Sequence, residues 1–156
     1  MEKEGWITQL NVTTDYSIRI ILCLASKDGI VSSREISEKM AIPQKYVLKI
    51  MRTFTKAGIV KRYSGAYGGF ELIKRKGLTL YDIMLLVEPT MRINRCMEDD
   101  CYCSRNAVPF CPVRKVYTAL QAQIDAALSA VTIEDLVRPD GPDMVSGKIC
   151  KEENSK

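Results

Sequence analysis

Apolar and polar residues follow two rhythms along this chain, a helical one with a period of about 3.6 and a short alternating one. The changes between them mark its elements. In TTDYSIRIILCLASKDG, Ile18, Ile21, Leu22 and Ala25 share one helical face, Thr13 or Thr14 is the expected cap, and Lys27-Asp28-Gly29 the stop. Cys23 lies inside this apolar helix and is expected as a core thiol. SSREISEKM opens with a serine cap, carries Glu35 in its first turn and buries Ile36 and Met40. After Ala41-Ile42, Pro43 opens a third helix, since its missing N–H is not needed at the first helical position. That helix, PQKYVLKIMRTFTKAG, places Val47, Ile50, Met51 and Phe54 on one face. Gln44, Lys45, Lys49, Arg52 and Lys56 take the others, and Gly58 ends it. Two short helices, a tight turn and a basic second helix form a helix-turn-helix pattern.

The alternating rhythm follows at once. Ile59-Val60-Lys61-Arg62-Tyr63 reads as a strand, Ser64 to Gly69 supplies turn chemistry, and Phe70-Glu71-Leu72-Ile73 returns as a second strand. This hairpin is a wing, whose glycines allow close approach to a ligand. Thr79 then caps TLYDIMLLVEP, ended by Pro89, and residues 90–110 show little regular pattern. Pro112 opens a long helix in which Val113, Tyr117, Leu120, Ile124, Ala127 and Val131 recur at intervals of four and three. Such a seam favours pairing into a homodimer. Thr132 to Leu136 makes one more capped turn, and the polar residues beyond Pro139, with Cys150 among them, read as a flexible tail.

The expected architecture is mainly α with a small β-hairpin: a winged helix-turn-helix domain plus a long dimerisation helix. The expected parts are a DNA-binding domain in 1–89, a cysteine-bearing loop in 90–110, the dimerisation helix in 111–138 and a tail in 139–156.

Composition narrows the function. With 156 residues and 46% hydrophobic content, the chain supports one ordinary core. The segment MEKEGWITQLNV has no apolar signal core, and no apolar run is long enough to span a membrane, so a cytoplasmic protein without membrane partner is expected. The net charge of +4 hides an asymmetry: from Pro43 to Lys76 nine bases face the single acid Glu71, giving +8 there and −4 elsewhere. Localised charge of this kind is the footprint of a polyanion-binding surface. No general base, nucleophile or cofactor-binding motif accompanies it, so an enzyme is not expected.

These residues resemble the IscR/NsrR family of bacterial transcription regulators, also called the Rrf-two family, over about 13–136. The resemblance is carried by TTDYSIRIILCLA, IPQKYVLKIM, and YSGAYGGFEL followed by LTLYDIMLLVEP. It implies a winged helix-turn-helix used as a homodimer on pseudo-palindromic double-stranded DNA. Several members carry an iron–sulphur cluster on three cysteines between the winged domain and the long helix.

On physical grounds the helix from Pro43 enters a major groove. Gln44 pairs with adenine, Lys45 donates to guanine, and Tyr46 meets phosphate or a thymine methyl. Lys49 and Arg52 grip the backbone, while Arg62 and the loop of Gly65, Gly68 and Gly69 reach the adjacent minor groove.

Cys96, Cys101, Cys103 and Cys111 crowd into sixteen residues, in a chain with six cysteines and no histidine. In a reducing compartment, clustered thiols favour metal or redox chemistry over structural disulfides. Four readings are open: an iron–sulphur cluster, a structural zinc, a metal-free thiol switch, and no role. The resemblance points to the first, as a 2Fe–2S or 4Fe–4S cofactor. Zinc is disfavoured because the spacing lacks paired C-x₂-C knuckles. Cys111 precedes Pro112, so a helix dipole stabilises its thiolate. Family members with a histidine ligand place it three residues after the last cysteine, where this chain has Arg114. The fourth ligand is then the extra cysteine of the Cys101/Cys103 pair or an oxygen. Asp15 aligns with an aspartate that some nitric-oxide-responsive members donate from the opposite subunit, and helix capping is its alternative role. Glu98, Asp99 and Asp100 read as a solvated loop, and Tyr102 and Phe110 as shields for a cluster.

Overall fold

The computed structural model describes residues 10–138; the tail in 139–156, with Cys150, lies outside the described residues, as do residues 1–9 of the expected first domain. The elements run α1 (Val12–Ala25), α2 (Ser33–Met40), α3 (Gln44–Lys56), β1 (Val60–Tyr63), β2 (Gly69–Leu72), α4 (Leu80–Val87), a 3₁₀ turn (Arg95–Met97), α5 (Pro112–Ala130) and α6 (Ile133–Leu136). This is the mainly α winged fold that the residue pattern predicts. Among the described residues no helix is long and apolar enough to cross a membrane.

Helix α1 is the centre of the core. Its buried residues run unbroken from Ile20 to Ala25, because α2, α3, β2, α4 and α6 all pack against it. The expected single apolar face is therefore too narrow: Ile20 and Leu24 are core, and Ile18 is only partly covered. Cys23 is buried as expected, and burial raises its thiol pKa. The cap also differs from expectation. Asn11, not Thr13 or Thr14, accepts the N–H of Thr13 at 2.9 Å. Thr14 is fully buried, its hydroxyl bonded to the Glu88 carboxylate at the end of α4.

The helix-turn-helix forms as its pattern predicts. Ser32 caps α2 by accepting the N–H of Glu35 at 3.1 Å. Ala41 then takes a left-handed φ of 51°, unusual for a residue with a Cβ. Two bonds hold this turn: Ile42 N–H to the Ser37 carbonyl at 3.1 Å, and Ser37 Oγ to the Ile42 carbonyl at 2.7 Å. Pro43 stands at the N-cap of α3, one residue before the first helical position expected for it and without a side-chain cap bond, and Val47, Ile50, Met51 and Phe54 are all buried.

Strands β1 and β2 pair antiparallel, with Val60 opposite Leu72 and Tyr63 opposite Gly69. A bridge between Val31 and Phe70 ties the hairpin to the body. Beyond α4, the end of α5 is stitched back: Thr132 bridges Thr79, and Ile133 donates to the Leu78 carbonyl at 2.8 Å. Buried Ile133 thereby makes α6 part of the winged core rather than a continuation of the long helix.

Candidate nucleic-acid interface and cysteine loop

With its apolar face sealed, α3 presents Gln44, Lys45, Leu48, Lys49, Arg52, Thr55 and Lys56 to solvent. A cleft of about 420 Å³ separates this face from the wing, lined by Leu48, Arg52, Lys56, Arg62 and Phe70 among others. Five of the expected DNA contacts, Gln44, Lys45, Lys49, Arg52 and Arg62, thus share one continuous surface. Gln44 is already engaged: its Nε2 donates to Ser33 Oγ at 3.0 Å, so bidentate pairing with adenine requires that bond to yield. Tyr46 is half-buried, its ring edge-on to Tyr16 with centroids 5.8 Å apart, which gives it a packing role the pattern did not suggest.

The wing carries detail that the residue pattern did not supply. Arg62 lines the cleft beside Arg52 and Lys56, and the residue at the tip is Tyr67, 95% exposed. Gly65, at φ +105°, is the glycine whose backbone needs its freedom at the exposed tip. Gly68 and Gly69 meet a packing demand as well: a Cβ on Gly68 would lie 2.6 Å from the Tyr63 carbonyl, and one on Gly69 would lie 2.5 Å from that of Val31. Arg75 also leaves the basic footprint. Its guanidinium closes the end of α1, donating to the carbonyls of Leu24 at 3.3 Å, Ala25 at 3.1 Å and Lys27.

The cysteine loop is ordered from both ends. Asn94 caps the 3₁₀ turn that carries Cys96, and Arg95 pairs with Asp100 while lying 5.5 Å over the Tyr102 ring. Arg114, in the first turn of α5, donates from Nε to the Cys96 carbonyl at 3.1 Å and reaches Cys101 Sγ at 3.7 Å. Cys111 is the N-cap of α5, as expected. Cys103 meets the backbone N–H groups of Ala107 and Arg105, which hold its thiol pKa below the ordinary value.

As a donor set, four thiols, one at a helix start and one poised toward thiolate, suit iron–sulphur ligation. In this conformation they are not drawn together. Among the described residues, no three Cys, Asp or Glu side chains are gathered so as to hold a metal ion. Asp15 is paired with Arg19 at 2.5 Å, and Tyr102 and Phe110 are exposed rather than sheltering the thiols.

The face of α5 turned to its own domain is the polar one. Gln121, 3% exposed, accepts the Ile93 N–H at 2.9 Å and donates to the Met91 carbonyl at 3.0 Å. Asp125 accepts from Gln121 at 2.8 Å and pairs with Arg92 at 3.6 Å. Most of its large apolar residues lie outside, with Val116 57% and Leu120 44% exposed beside Val113 and Ile124, while Leu128 is half-buried. Tyr117, expected in the seam, is half-buried, and Val116 takes the outer position. This polarity is the reverse of an ordinary surface helix. It continues into a groove of about 690 Å³ lined by Leu10, Met84, Ile93, Ile124 and Leu128 among others.

A basic recognition helix, the turn before it and the hairpin after it define the winged helix-turn-helix class of regulators. Residues 10–139 match the Rrf2 family, iron-dependent transcriptional regulators, and the chain belongs to that family. An HTH-type transcriptional regulator of Aquifex aeolicus (strain VF5) is 30% identical over 127 residues, 80% of this chain and 88% of the relative. Among solved structures, CymR, the global cysteine regulator of B. subtilis, aligns at TM-score 0.68 and 23% identity, covering 83% of this chain and 95% of CymR. T. potens IscR aligns at TM-score 0.65 and 21% identity, covering 83% and 85% respectively. At these identities the two structures establish the shared fold.

Proposed function

We propose that this regulator acts in the cytoplasm as a homodimer on double-stranded DNA and senses redox, nitric oxide or iron status through its cysteine loop. The observation that carries the DNA reading is the exposed face of α3, where Gln44, Lys45, Lys49 and Arg52 run into the cleft edged by Arg62. In this reading residues 1–89 read the site and the outer seam of α5 joins two copies. Lys49 and Arg52 neutralise phosphates, Gln44 and Lys45 address base edges, and Arg62 and Gly65 follow the strand beside the wing. The unpartnered apolar seam of α5 supports the dimer, because a second copy would remove it from water.

The sensor is proposed at Cys96, Cys101, Cys103 and Cys111. A cluster on these thiols would supply a centre that reacts with oxidants and nitric oxide. The chain's own part is to tie the loop to α5: Arg114 grips Cys96, and Gln121 grips the approach at Met91 and Ile93. A rearrangement of the loop therefore bears on the helix that sets the separation of the two recognition helices, shifting the population of dimer geometries. A second reading, a metal-free thiol switch, is favoured by the backbone N–H groups around Cys103, which lower its pKa toward the reactive thiolate. Anaerobic purification followed by visible absorption with iron and sulphide analysis separates them. A coloured, iron- and sulphide-containing protein supports the cluster; a colourless protein that resists reconstitution transfers the role to the thiols alone.

A further inference from the structure

We infer that Leu48 reads DNA directly, by docking its side chain on the C5-methyl group of a thymine in the major groove. The inference rests on the DNA-binding reading above and assigns a base-specific contact within it. Leu48 is 40% exposed on the solvent face of α3, toward its wing side. At four-residue intervals it stands one turn after Gln44 and one turn before Arg52, and Lys45 and Lys49 flank it. The core has no use for it there, since Val47, Ile50, Met51 and Phe54 already fill the buried side of the helix.

A leucine beside a row of cations can neither pair with a phosphate nor donate a hydrogen bond. Left in water, its apolar surface is uncompensated. The one apolar group on the base edges of the major groove is the thymine methyl, and aliphatic contact with it distinguishes thymine from the other bases. In the DNA-binding reading, Lys49 and Arg52, both to one side of Leu48 on the helix surface, hold the backbone while Leu48 faces the base edges. Leu48 also lines the cleft toward Arg62, so its side chain is steadied along one edge while the rest faces out.

The test uses the full-length protein and duplexes recovered by it from a random pool, under anaerobic and aerobic conditions. Each thymine of the recovered site is replaced in turn by uracil, which removes only the methyl group. At one thymine per half-site, uracil weakens the wild-type complex about fourfold. The same replacement leaves Leu48→Ala unaffected, with an unchanged salt slope. Alanine preserves the helix, and far-UV circular dichroism checks the fold. If every thymine tolerates uracil in the wild type, or if Leu48→Ala keeps the full uracil penalty, the inference is overturned while DNA binding stands. If no sequence is enriched from the pool, the DNA reading and the inference fall together.

Discussion

Gln121 accepts the backbone N–H of Ile93 at 2.9 Å from a position 28 residues further along the chain, and so fastens the approach to the cysteine loop against the middle of the long helix. Its amide donates to the Met91 carbonyl as well. Replacing it with leucine leaves the Ile93 N–H and the Met91 carbonyl, both part-buried in these bonds, without that partner. Gln121→Leu is expected to cost about 1–3 kcal/mol, read as a lower urea midpoint with an unchanged m-value. An unaltered midpoint would mean that the loop is not held there.

Phosphate contacts carry no base preference. Lys49→Ala and Arg52→Ala are each expected to weaken binding across unrelated sequences and to reduce the slope of log K against log salt by about one. Fluorescence anisotropy titrations at several salt concentrations measure both quantities. A loss confined to a single base position would instead assign that side chain to base reading.

The thiol of Cys103 faces the N–H groups of Ala107 and Arg105, which favour its charged form. Since the shift is downward, its thiolate is populated at pH values where an ordinary thiol is still protonated. The pH profile of Cys103 alkylation, followed by peptide mass spectrometry on metal-free protein, should therefore have its midpoint below that of a thiol in an unfolded peptide. A profile matching the unfolded peptide would remove the support this residue lends to the thiol-switch reading.

The outer face of α5 offers a separate handle. Leu120 and Ile124 are exposed in the single chain, so Leu120→Glu should leave the monomer fold intact by circular dichroism. Placed in a dimer seam, the carboxylate would lose its hydration and raise the dissociation constant at least about tenfold. Sedimentation velocity reads that change, and DNA affinity should fall with it. A dimer undisturbed by Leu120→Glu would place the interface elsewhere.

Local signals were the legible ones. The buried row Val47, Ile50, Met51 and Phe54, the hairpin after α3, and the placing of Cys111 at the start of α5 all follow from spacing within a few residues. What spacing could not supply were partners far along the chain. Thr14 looks like a cap until Glu88, 74 residues away, occupies its hydroxyl. Arg75 looks like part of the polyanion surface until the carbonyls ending α1 bind it. Gly69 looks permissive for a ligand, yet it is Val31 that excludes a Cβ there. The heptad count put Tyr117 in the outer seam because it registers only period, whereas the inner face is chosen by what Gln121 and Asp125 bond. For the cysteines, closeness in sequence announced a shared site, while the bonds that order the loop, from Arg114 to Cys96 and around Cys103, come from residues that spacing alone does not single out.

The most direct test of the account is DNA binding by the full-length protein in three states: anaerobically purified, chelator-treated and oxidised. Anisotropy against a duplex recovered from genomic fragments should give a sequence-specific complex in at least one state, with an affinity that changes between states. It should also weaken as salt rises. Absence of a sequence-specific complex in every state would contradict the regulator reading, and equal affinity in all three would contradict the cysteine loop as its sensor.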